Sequence, residues 1–263
     1  KMAENFKNYL NTLNSQQLEA VEQIYGATLI LAGAGSGKTR VLTFKILHLL
    51  VKKIALPNQI LAVTFTNKAA NEMKSRVFDL LSYPIDRMWL GTFHSLSAKI
   101  LRFHAELVGL KSNFIIIDMD DQLKLIKQLC ERENIDLKEN SPKYFASKID
   151  AYKNKGVFAD SVKPNRFNPD VNIYKIYKLY QEELLRLNCA DFGDLILFCI
   201  KIFKENKEIR LKYQNLFKFI LVDEYQDINN VQQQWLEIFY QGNKNICCVG
   251  DDDQSIYAWR GAD

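Results

Sequence analysis

Cysteine and long apolar runs are scarce in this sequence. Its five cysteines form no Cys-x-x-Cys pair and sit in apolar stretches, which argues against a disulfide framework or a structural zinc site and predicts reduced core thiols. No apolar run approaches the roughly 18 residues of a membrane span. The first ten residues are polar and include an acid, unlike a signal peptide, and no internal repeat is evident. These absences predict a globular protein of the cytoplasm.

The composition is that of an ordinary globular protein. The chain has 263 residues, of which 48% are hydrophobic and 25% are charged, enough for one large or two modest domains. The net charge of +4 is unevenly placed, because residues 141–180 carry eight basic and three acidic side chains. Such a region suggests an anionic partner, most simply a nucleic-acid backbone. A solvated basic face is the alternative.

A glycine-rich stretch near the amino terminus is the most informative feature. It reads Ala32-Gly33-Ala34-Gly35-Ser36-Gly37-Lys38-Thr39 and lies between an expected buried strand (27–31) and an expected helix (41–51). This order is the context of a phosphate-binding loop, in which Lys38 reaches the β- and γ-phosphates and Thr39 binds Mg²⁺. The alternative is a turn without a ligand. Ala32 stands where glycine is usual and requires a negative φ.

A pair of acids follows a nearly all-apolar run, residues 217–222, that is typical of a central parallel strand. These acids are Asp223 and Glu224. Asp223 would hold Mg²⁺ directly or through water, and Glu224 would take a proton from the attacking water. Two acids that merely end a strand are the alternative interpretation.

Strands and helices alternate along most of the chain. Apolar runs predict further strands at 60–65, 88–92 and 245–249, and this alternation predicts an α/β fold with a parallel sheet covered on both faces. A basic, mostly helical region interrupts the pattern. We therefore predict an α/β domain over 1–110 and 196–263 with a helical insertion over 111–195. Asn14 or Ser15 is expected to cap the first helix, with Gln17 completing a capping box.

Six stretches of the chain resemble, in order, the motifs of the UvrD/PcrA/Rep family of superfamily 1 DNA helicases. They are LNSQQ (13–17), GSGKTR (35–40), TFTNKAA (64–70), GTFHS (91–95), LVDEYQD (221–227) and VGDDDQSIYAWRGA (249–262). Together they span nearly the whole chain. The resemblance implies a RecA-like P-loop NTPase domain (1A) interrupted by a mostly helical inserted subdomain (1B).

For the nucleotide, the resemblance implies roles for residues beyond the phosphate loop. Gln17 would read the adenine edge with its amide, with a purely capping role as the alternative. Arg40 would stack on the adenine ring. Gln254 would sense the γ-phosphate and couple it to the DNA-facing loop. The implied cofactors are ATP and Mg²⁺, and the implied catalytic residues are Lys38, Asp223, Glu224 and Gln254.

The resemblance also implies an aromatic site for single-stranded DNA. Phe65, Tyr257 and Trp259 match residues that stack on or separate bases, and stacking of this kind tolerates any sequence. Phe192 resembles another base-contacting aromatic, although Gly193 stands where the family more often has an acid. Core packing is the alternative for each of these aromatics.

Further DNA contacts are expected from polar and basic side chains. Thr92 and His94 match a pair that contacts the DNA backbone, and Arg260 matches a DNA-contacting arginine. A basic stretch is a candidate contact for duplex DNA. Its members are Lys143, Lys148, Lys153, Lys155, Lys163 and Arg166.

The whole family enzyme is an ATP-driven motor that moves 3′ to 5′ along single-stranded DNA and separates the duplex ahead of it. The resemblance therefore implies an ATP-dependent DNA helicase that acts on single-stranded DNA and on single-strand/duplex junctions. It also implies a nucleoid-associated protein, away from membranes, with DNA repair or replication proteins as partners.

Motifs IV to VI and the second RecA-like domain, which completes the ATP site in the family, are absent from this sequence. We expect an amino-terminal fragment that binds nucleotide and DNA and is nearly inactive by itself. Two alternatives are a helicase subunit of a helicase–nuclease recombination complex and a DNA- and nucleotide-binding module without motor activity.

Overall fold

The computed structural model describes residues 4, 7, 8, 10–31, 37–81, 84–163 and 171–251. The chain forms two compact units. Unit 1 consists of Lys1–Leu96, Lys207–Ile228 and Leu236–Asp263, and unit 2 consists of Ser97–Asn206 and Asn229–Trp235. Unit 2 is thus longer at both ends than the proposed insertion over 111–195, and it takes in a later segment. The domain bounds of 1–110 with 196–263, and 111–195 for the insertion, stay a prediction.

Unit 1 is built around a parallel sheet of five strands. These are β1 (Ala27–Leu31), β2 (Ile60–Thr64), β3 (Trp89–Thr92), β6 (Phe219–Val222) and β7 (Ile246–Gly250). They lie in the order β1-β7-β6-β2-β3, and every neighbouring pair is parallel. The predicted α/β class with a parallel sheet is confirmed.

Helices connect these strands. They are α1 (Ser15–Glu22), α2 (Lys38–Val51), α3 (Asn67–Leu81), α4 (Phe93–His104), α9 (Lys207–Leu216) and α10 (Asn230–Asn243). Two short 3₁₀ turns, Pro57–Gln59 and Tyr225–Asp227, precede β2 and follow β6. The residue ranges of α4 and α10 extend from one unit into the other.

The four strands from β7 to β3 are buried along their whole length. Successive side chains of a strand point to opposite faces, so complete burial means that both faces are covered. On one face, Ile60, Ala62 and Leu221 pack with Leu42 and Ile46 of α2 in a single apolar core. The predicted coverage of both faces therefore holds for these strands.

Strand β1 differs from the expectation of a buried strand. Its residues alternate between exposed and half-buried, and Leu29 and Leu31 are 36% and 40% exposed. The reason is its place in the sheet, because β1 is the terminal strand and pairs with β7 alone among the described strands. A short apolar run does not distinguish a terminal strand from a central one.

Unit 2 is mostly helical, as predicted. Its helices are α5 (Met119–Arg132), α6 (Pro142–Asn154), α7 (Val171–Arg186) and α8 (Phe192–Glu205). Two 3₁₀ turns, Ala105–Val108 and Ala159–Ser161, and a parallel pair of short strands, β4 (Ile115–Ile116) and β5 (Cys189–Ala190), complete it. The sequence did not indicate β5, whose two residues are too few for a recognisable pattern.

Three helices of unit 2, namely α5, α6 and α8, begin at side chains that accept a backbone N–H. Asp118 starts α5, Ser141 with Pro142 starts α6, and Asp191 starts α8, as is usual at helix amino termini. The apolar faces of α5, α6 and α7 meet in a separate core that includes Ile126. Unit 2 thus has a core of its own.

The structure agrees with two expectations from the sequence, which concern disulfides and membrane-spanning segments. All five cysteines are free thiols, and four are buried, as predicted for reduced core residues. None of the helices in the described ranges has the length and apolarity needed to cross a membrane.

Phe217 joins several aromatic rings of unit 1, so its truncation should destabilise the fold. The ring is fully buried, and its centroid lies 5.3 Å from that of Trp89 and 5.2 Å from that of Phe239. We expect Phe217→Ala to lower the free energy of unfolding by about 3–5 kcal/mol in urea titrations. Phe78→Ala, at an exposed ring of α3, is the control and should cost less than about 1 kcal/mol. Similar losses in both variants would contradict this view of the core.

Candidate nucleotide and DNA sites

The carboxyl ends of the parallel strands gather most of the predicted site residues of unit 1. All five strands run the same way, so their ends meet at one edge of the sheet. The start of α2 follows β1, Asp223 and Glu224 follow β6, and Asp251 follows β7. Phe65 follows β2, and Thr92 ends β3. In the observed strand order, the nucleotide candidates lie at β1, β7 and β6, and the DNA candidates lie at β2 and β3.

Gly37 sets the start of α2. It is the N-cap residue, with φ of 76° in the left-handed region, where glycine is favoured over all other residues. Lys38 and Thr39 are therefore the first residues of the helix, where the orphan N–H groups and the helix dipole favour an anion. The remainder of the predicted loop, residues 32–36, lies outside the described ranges.

Thr39 and Asp223 form the predicted metal pair. Oγ1 of Thr39 donates to Oδ2 of the buried Asp223 at 3.4 Å. Burial raises the pKa of Asp223, a hydrogen bond from the Glu224 N–H at 2.9 Å opposes that shift, and the charge of Glu224 adds to it. A hydroxyl and a carboxylate are the kind of oxygen donors that Mg²⁺ prefers.

Glu224 has an unusual backbone conformation. Its φ of 49° and ψ of 45° lie in the left-handed region, which costs free energy for any residue other than glycine. The conformation turns the chain sharply after β6 and starts the 3₁₀ turn Tyr225–Asp227. Strain of this kind clusters at functional sites.

Lys38 and Glu224 are linked through two residues without a predicted role, Gln226 and Asp251. Nζ of Lys38 donates to Oδ1 of Asp251, and this hydrogen bond raises the pKa of Lys38. Nε2 of Gln226 donates to Oε2 of Glu224 at 2.5 Å and to Oδ2 of Asp251 at 3.4 Å, and its Oε1 accepts the Asp251 N–H at 3.0 Å. The side-chain amide of Gln226 is thus hydrogen-bonded to both Glu224 and Asp251. Gln226 and Asp251 lie in the stretches 221–227 and 249–262, which resemble helicase motifs. That resemblance is the sequence feature that could have indicated a role for them.

Gln17 takes part in the predicted capping box. Oδ1 of Asn14 accepts the Gln17 N–H at 2.8 Å, and Oε1 of Gln17 accepts the Asn14 N–H at 3.1 Å. The predicted capping box is therefore confirmed. Nε2 of the same side chain lies 3.4 Å from the point that a Cβ at Gly37 would occupy. Gln17 therefore lies beside the start of α2.

A buried lysine holds α1 against α2. Nζ of Lys45 donates to the carbonyl oxygens of Gln23 at 2.5 Å and Ala20 at 3.2 Å. These groups lie at the carboxyl end of α1, where helix carbonyls lack partners within the helix. Burial lowers the pKa of Lys45. This contact was not predicted, and it fixes the helix that carries Gln17.

Arg40 lines a groove that the sequence did not reveal. Its guanidinium carbon lies 5.5 Å from the ring centroid of Phe44, and it donates to the hydroxyl of Thr12. The groove has a volume of about 310 Å³. Its lining residues are Arg40, Thr43, Phe44, Arg76, Asp79 and Leu80. They come from α2 and α3, and only the packing of these helices brings them together. Two guanidinium groups, a carboxylate and an aromatic face suit a polar, flat ligand.

Phe65, Thr92 and His94 come together at the carboxyl ends of β2 and β3. Phe65 is half-buried, and its ring packs edge-on against Phe93 with 5.6 Å between centroids. Thr92 is buried, and its hydroxyl accepts the Ser95 N–H at 3.0 Å, so it also caps α4. Burial lowers the pKa of His94. Phe65 and Thr92 therefore have structural roles beside their predicted contact with DNA.

Phe192, in unit 2, is 55% exposed. It is the first residue of α8, directly after the N-cap Asp191. The alternative of core packing does not apply to this aromatic. The remaining predicted contacts, Gln254, Tyr257, Trp259 and Arg260, lie outside the described residues.

The prediction that Lys153 belongs to a basic stretch that contacts DNA is wrong. It is fully buried, and its Nζ lies 2.7 Å from Oδ2 of Asp191 and 2.9 Å from Oδ1 of Asp194. The basic composition of α6 concealed this, because the two acids that compensate the charge lie on another helix. Four other members are exposed, namely Lys143, Lys148, Lys155 and Lys163. Arg166 lies outside the described residues.

The sheet and its edge define a class of protein. A lysine and a threonine begin the helix after one parallel strand, and a buried acid ends another strand beside them. This is the arrangement of RecA-like α/β domains of the phosphate-loop type.

Comparison with known proteins then gives the family. The sequence model of the UvrD/REP helicase N-terminal domain matches residues 13–263. The chain therefore belongs to the UvrD/REP helicase family.

Its relatives carry helicase names. The chain is 46% identical over 264 residues to the probable DNA helicase II homolog of Rickettsia felis, covering 98% of this chain and 40% of that protein. It is also 46% identical over 255 residues to the ATP-dependent DNA helicase PcrA of Staphylococcus aureus, covering 97% of this chain and 35% of that protein. The chain thus spans about two fifths or less of the length of these curated relatives.

Asp194 should make stability depend on pH. Burial and the charge of Asp191 raise its pKa to about 6 in the folded protein, whereas Lys153 opposes that shift. The folded state then binds this proton more tightly than the unfolded state, so stability should rise as the pH falls from 7 to 5, by about 1 kcal/mol. Asp194→Asn should remove this gain.

The measurement is the free energy of unfolding at pH 5 and pH 7 for both proteins. The exposed Asp160 gives the matched control, since Asp160→Asn should keep the wild-type dependence on pH. An Asp194→Asn protein with the same pH dependence as the wild type would refute the assignment.

Proposed function

We propose that this chain is the ATP-binding and single-stranded-DNA-binding amino-terminal part of an ATP-dependent 3′–5′ DNA helicase. The supporting observation is the meeting of Lys38, Thr39, Asp223 and Glu224 at one edge of the parallel sheet, with Thr39 and Asp223 hydrogen-bonded at 3.4 Å. The direction of movement is proposed from the family resemblance. The names of the relatives, DNA helicase II and PcrA, agree with this proposal.

The residues at this edge fit a magnesium–nucleotide complex. The described residues contain no cluster of three or more His, Cys, Asp or Glu that could hold a metal ion, so Thr39 and Asp223 would share Mg²⁺ with phosphate oxygens and water, as is usual for this ion. An Mg²⁺ ion held by these two residues would supply positive charge to neutralise the phosphates. Lys38 turns from Asp251 to the β- and γ-phosphates, so phosphate and carboxylate compete for one ammonium group.

Glu224 is the proposed acceptor of the proton from the attacking water. Gln226 holds its carboxylate at 2.5 Å, which limits the orientations that the carboxylate adopts. Because Gln226 also contacts Asp251, departure of Lys38 would remove the charge partner of a residue that the same amide contacts. The phosphate ligand and the base are thereby connected through Gln226.

The adenosine end of ATP is proposed to lie beside Gln17 and Arg40. The Gln17 amide is adjacent to Gly37, and a planar guanidinium stacks well on an aromatic base. The groove lined by Arg40, Phe44 and Arg76 extends this surface. We propose that it accommodates part of the base or ribose.

Single-stranded DNA is proposed to contact Phe65, Thr92 and His94 in unit 1 and Phe192 in unit 2. Tyr257, Trp259 and Arg260 are proposed to complete the contact, and Gln254 is proposed to link it to the γ-phosphate. For the chain by itself we propose weak binding of both ligands and slow hydrolysis of ATP, since the family's second RecA-like domain completes the site.

Removal of the Lys38 ammonium should weaken nucleotide binding. We expect Lys38→Ala to weaken binding of a fluorescent ATP analogue with Mg²⁺ at least about tenfold, because a charge-assisted contact to phosphate is lost. Fluorescence titration measures this. Lys52→Ala, at the exposed carboxyl end of α2, is the control and should bind like the wild type. Equal binding by all three proteins would argue against the phosphate site.

The exposed lysines of α6 and its C-cap residue should contribute to the salt dependence of DNA binding. We expect the triple variant Lys143→Ala, Lys148→Ala, Lys155→Ala to flatten the slope of log affinity against log salt on a single-strand/duplex junction. Each lost phosphate contact removes about 0.7–0.9 from the slope.

A second triple variant on the same unit controls for net charge. It changes Lys124, Lys127 and Lys138, which are also exposed, to alanine, and it should keep the wild-type slope. If both triple variants flatten the slope equally, the effect is one of overall charge and the assigned contact is wrong.

A further inference from the structure

A fully buried ammonium group joins three helices of unit 2. Lys153 extends from α6, and its Nζ lies 2.7 Å from Oδ2 of Asp191 and 2.9 Å from Oδ1 of Asp194, both at the start of α8. It also donates to Oε1 of Gln181 on α7 at 2.6 Å. The three protons of the ammonium therefore match three oxygens.

Every carboxylate oxygen in this cluster is also satisfied. Asp191 and Asp194 each accept the backbone N–H of the other, at 2.9 and 3.1 Å, in a capping box. The Tyr180 hydroxyl donates to Asp191 at 2.7 Å, and Nε2 of Gln181 donates to Asp194 at 3.0 Å. Networks in which every polar group is paired define one arrangement of the groups they join.

The two residues between these acids are Phe192 and Gly193. Gly193 rests on the stem of Lys153, because a Cβ at this position would lie 2.8 Å from Cδ and 3.1 Å from Cβ of the lysine. A residue without a side chain therefore suits the space beside Lys153 at this position, where the family more often has an acid. Phe192, its neighbour, is exposed. Lys153 is thus paired with two acids at the start of α8, and the ring of Phe192 between them is exposed.

Stability alone does not account for such a cluster. Desolvation of buried charges costs as much as or more than their attraction returns, and well-packed apolar groups often replace them without loss of stability. What a fully paired cluster provides is a fixed orientation of the groups around it. The exposed aromatic Phe192 lies in the turn that this cluster holds.

We propose that Lys153 is a positioning residue for Phe192. It fixes the first turn of α8 so that the ring is held ready to stack on a base of single-stranded DNA, and binding then requires less ordering of the side chain. This inference rests on the proposed contact of Phe192 with DNA.

A double-mutant cycle tests whether Lys153 acts through Phe192. The affinity of the full chain for fluorescent oligo-dT is measured by anisotropy at one salt concentration, and unfolding curves establish that each variant is folded. Phe192→Ala should weaken binding about 5- to 150-fold, the range for one lost base stack. Lys153→Met should weaken it in the wild-type background and have little further effect together with Phe192→Ala.

Two further variants separate the proposal from simpler effects. Lys148→Met removes an exposed charge from the same helix, and its effect should be the same with or without Phe192. Gly193→Ala keeps every charge but pushes against the Lys153 stem. It should reproduce the loss caused by Lys153→Met, and it serves as the test if Lys153→Met does not fold.

The outcomes distinguish the two levels of the proposal. If Phe192→Ala weakens binding but Lys153→Met and Gly193→Ala weaken it equally in both backgrounds, or leave it unchanged, Lys153 is not a positioning residue. If Phe192→Ala leaves the affinity unchanged, the proposed DNA contact of Phe192 is wrong, and the role of Lys153 is rejected with it.

Discussion

Parallel pairing of five strands is the constraint on which unit 1 depends. Parallel neighbours cannot be joined by a tight turn, so each strand of this sheet that precedes β7 is followed by a crossover that brings the chain back to the opposite edge. The crossovers are helical, and they cover both faces of the strands from β7 to β3. Every strand then ends at the same edge. Lys38 and Asp223 are far apart in the sequence and meet for this reason.

Buried ammonium groups hold helix ends in both units, by different electrostatic means. Lys45 faces carbonyl oxygens at the end of α1, which carry partial charges, and burial lowers its pKa. For Lys153, burial also acts to lower the pKa, but Asp191 and Asp194 outweigh it and raise the pKa. The contact between α1 and α2 is made by the dipoles of carbonyl groups. The first turn of α8 is held by full charges, whose attraction is stronger and whose desolvation costs more.

Local patterns predicted what depends on neighbours in the sequence. The strand β2 and the capping box at Gln17 were found within a residue or so of the structure, because periodicity and capping are short-range signals. The exposure of β1 and the burial of Lys153 were missed, since each depends on partners distant in the chain. The groove at Arg76 was missed for the same reason. Of the site, the motif residues were predictable, and the hydrogen-bonded links between them were not.

The left-handed backbone of Glu224 places two demands on one position. The conformation costs about 1–3 kcal/mol in any residue with a side chain, and glycine would adopt it freely. A search for heat-resistant variants of this chain would therefore favour glycine at position 224, although the carboxylate is what the proposed chemistry requires. Thermal tolerance and turnover are opposed at this one residue, so variants selected for either property should diverge there.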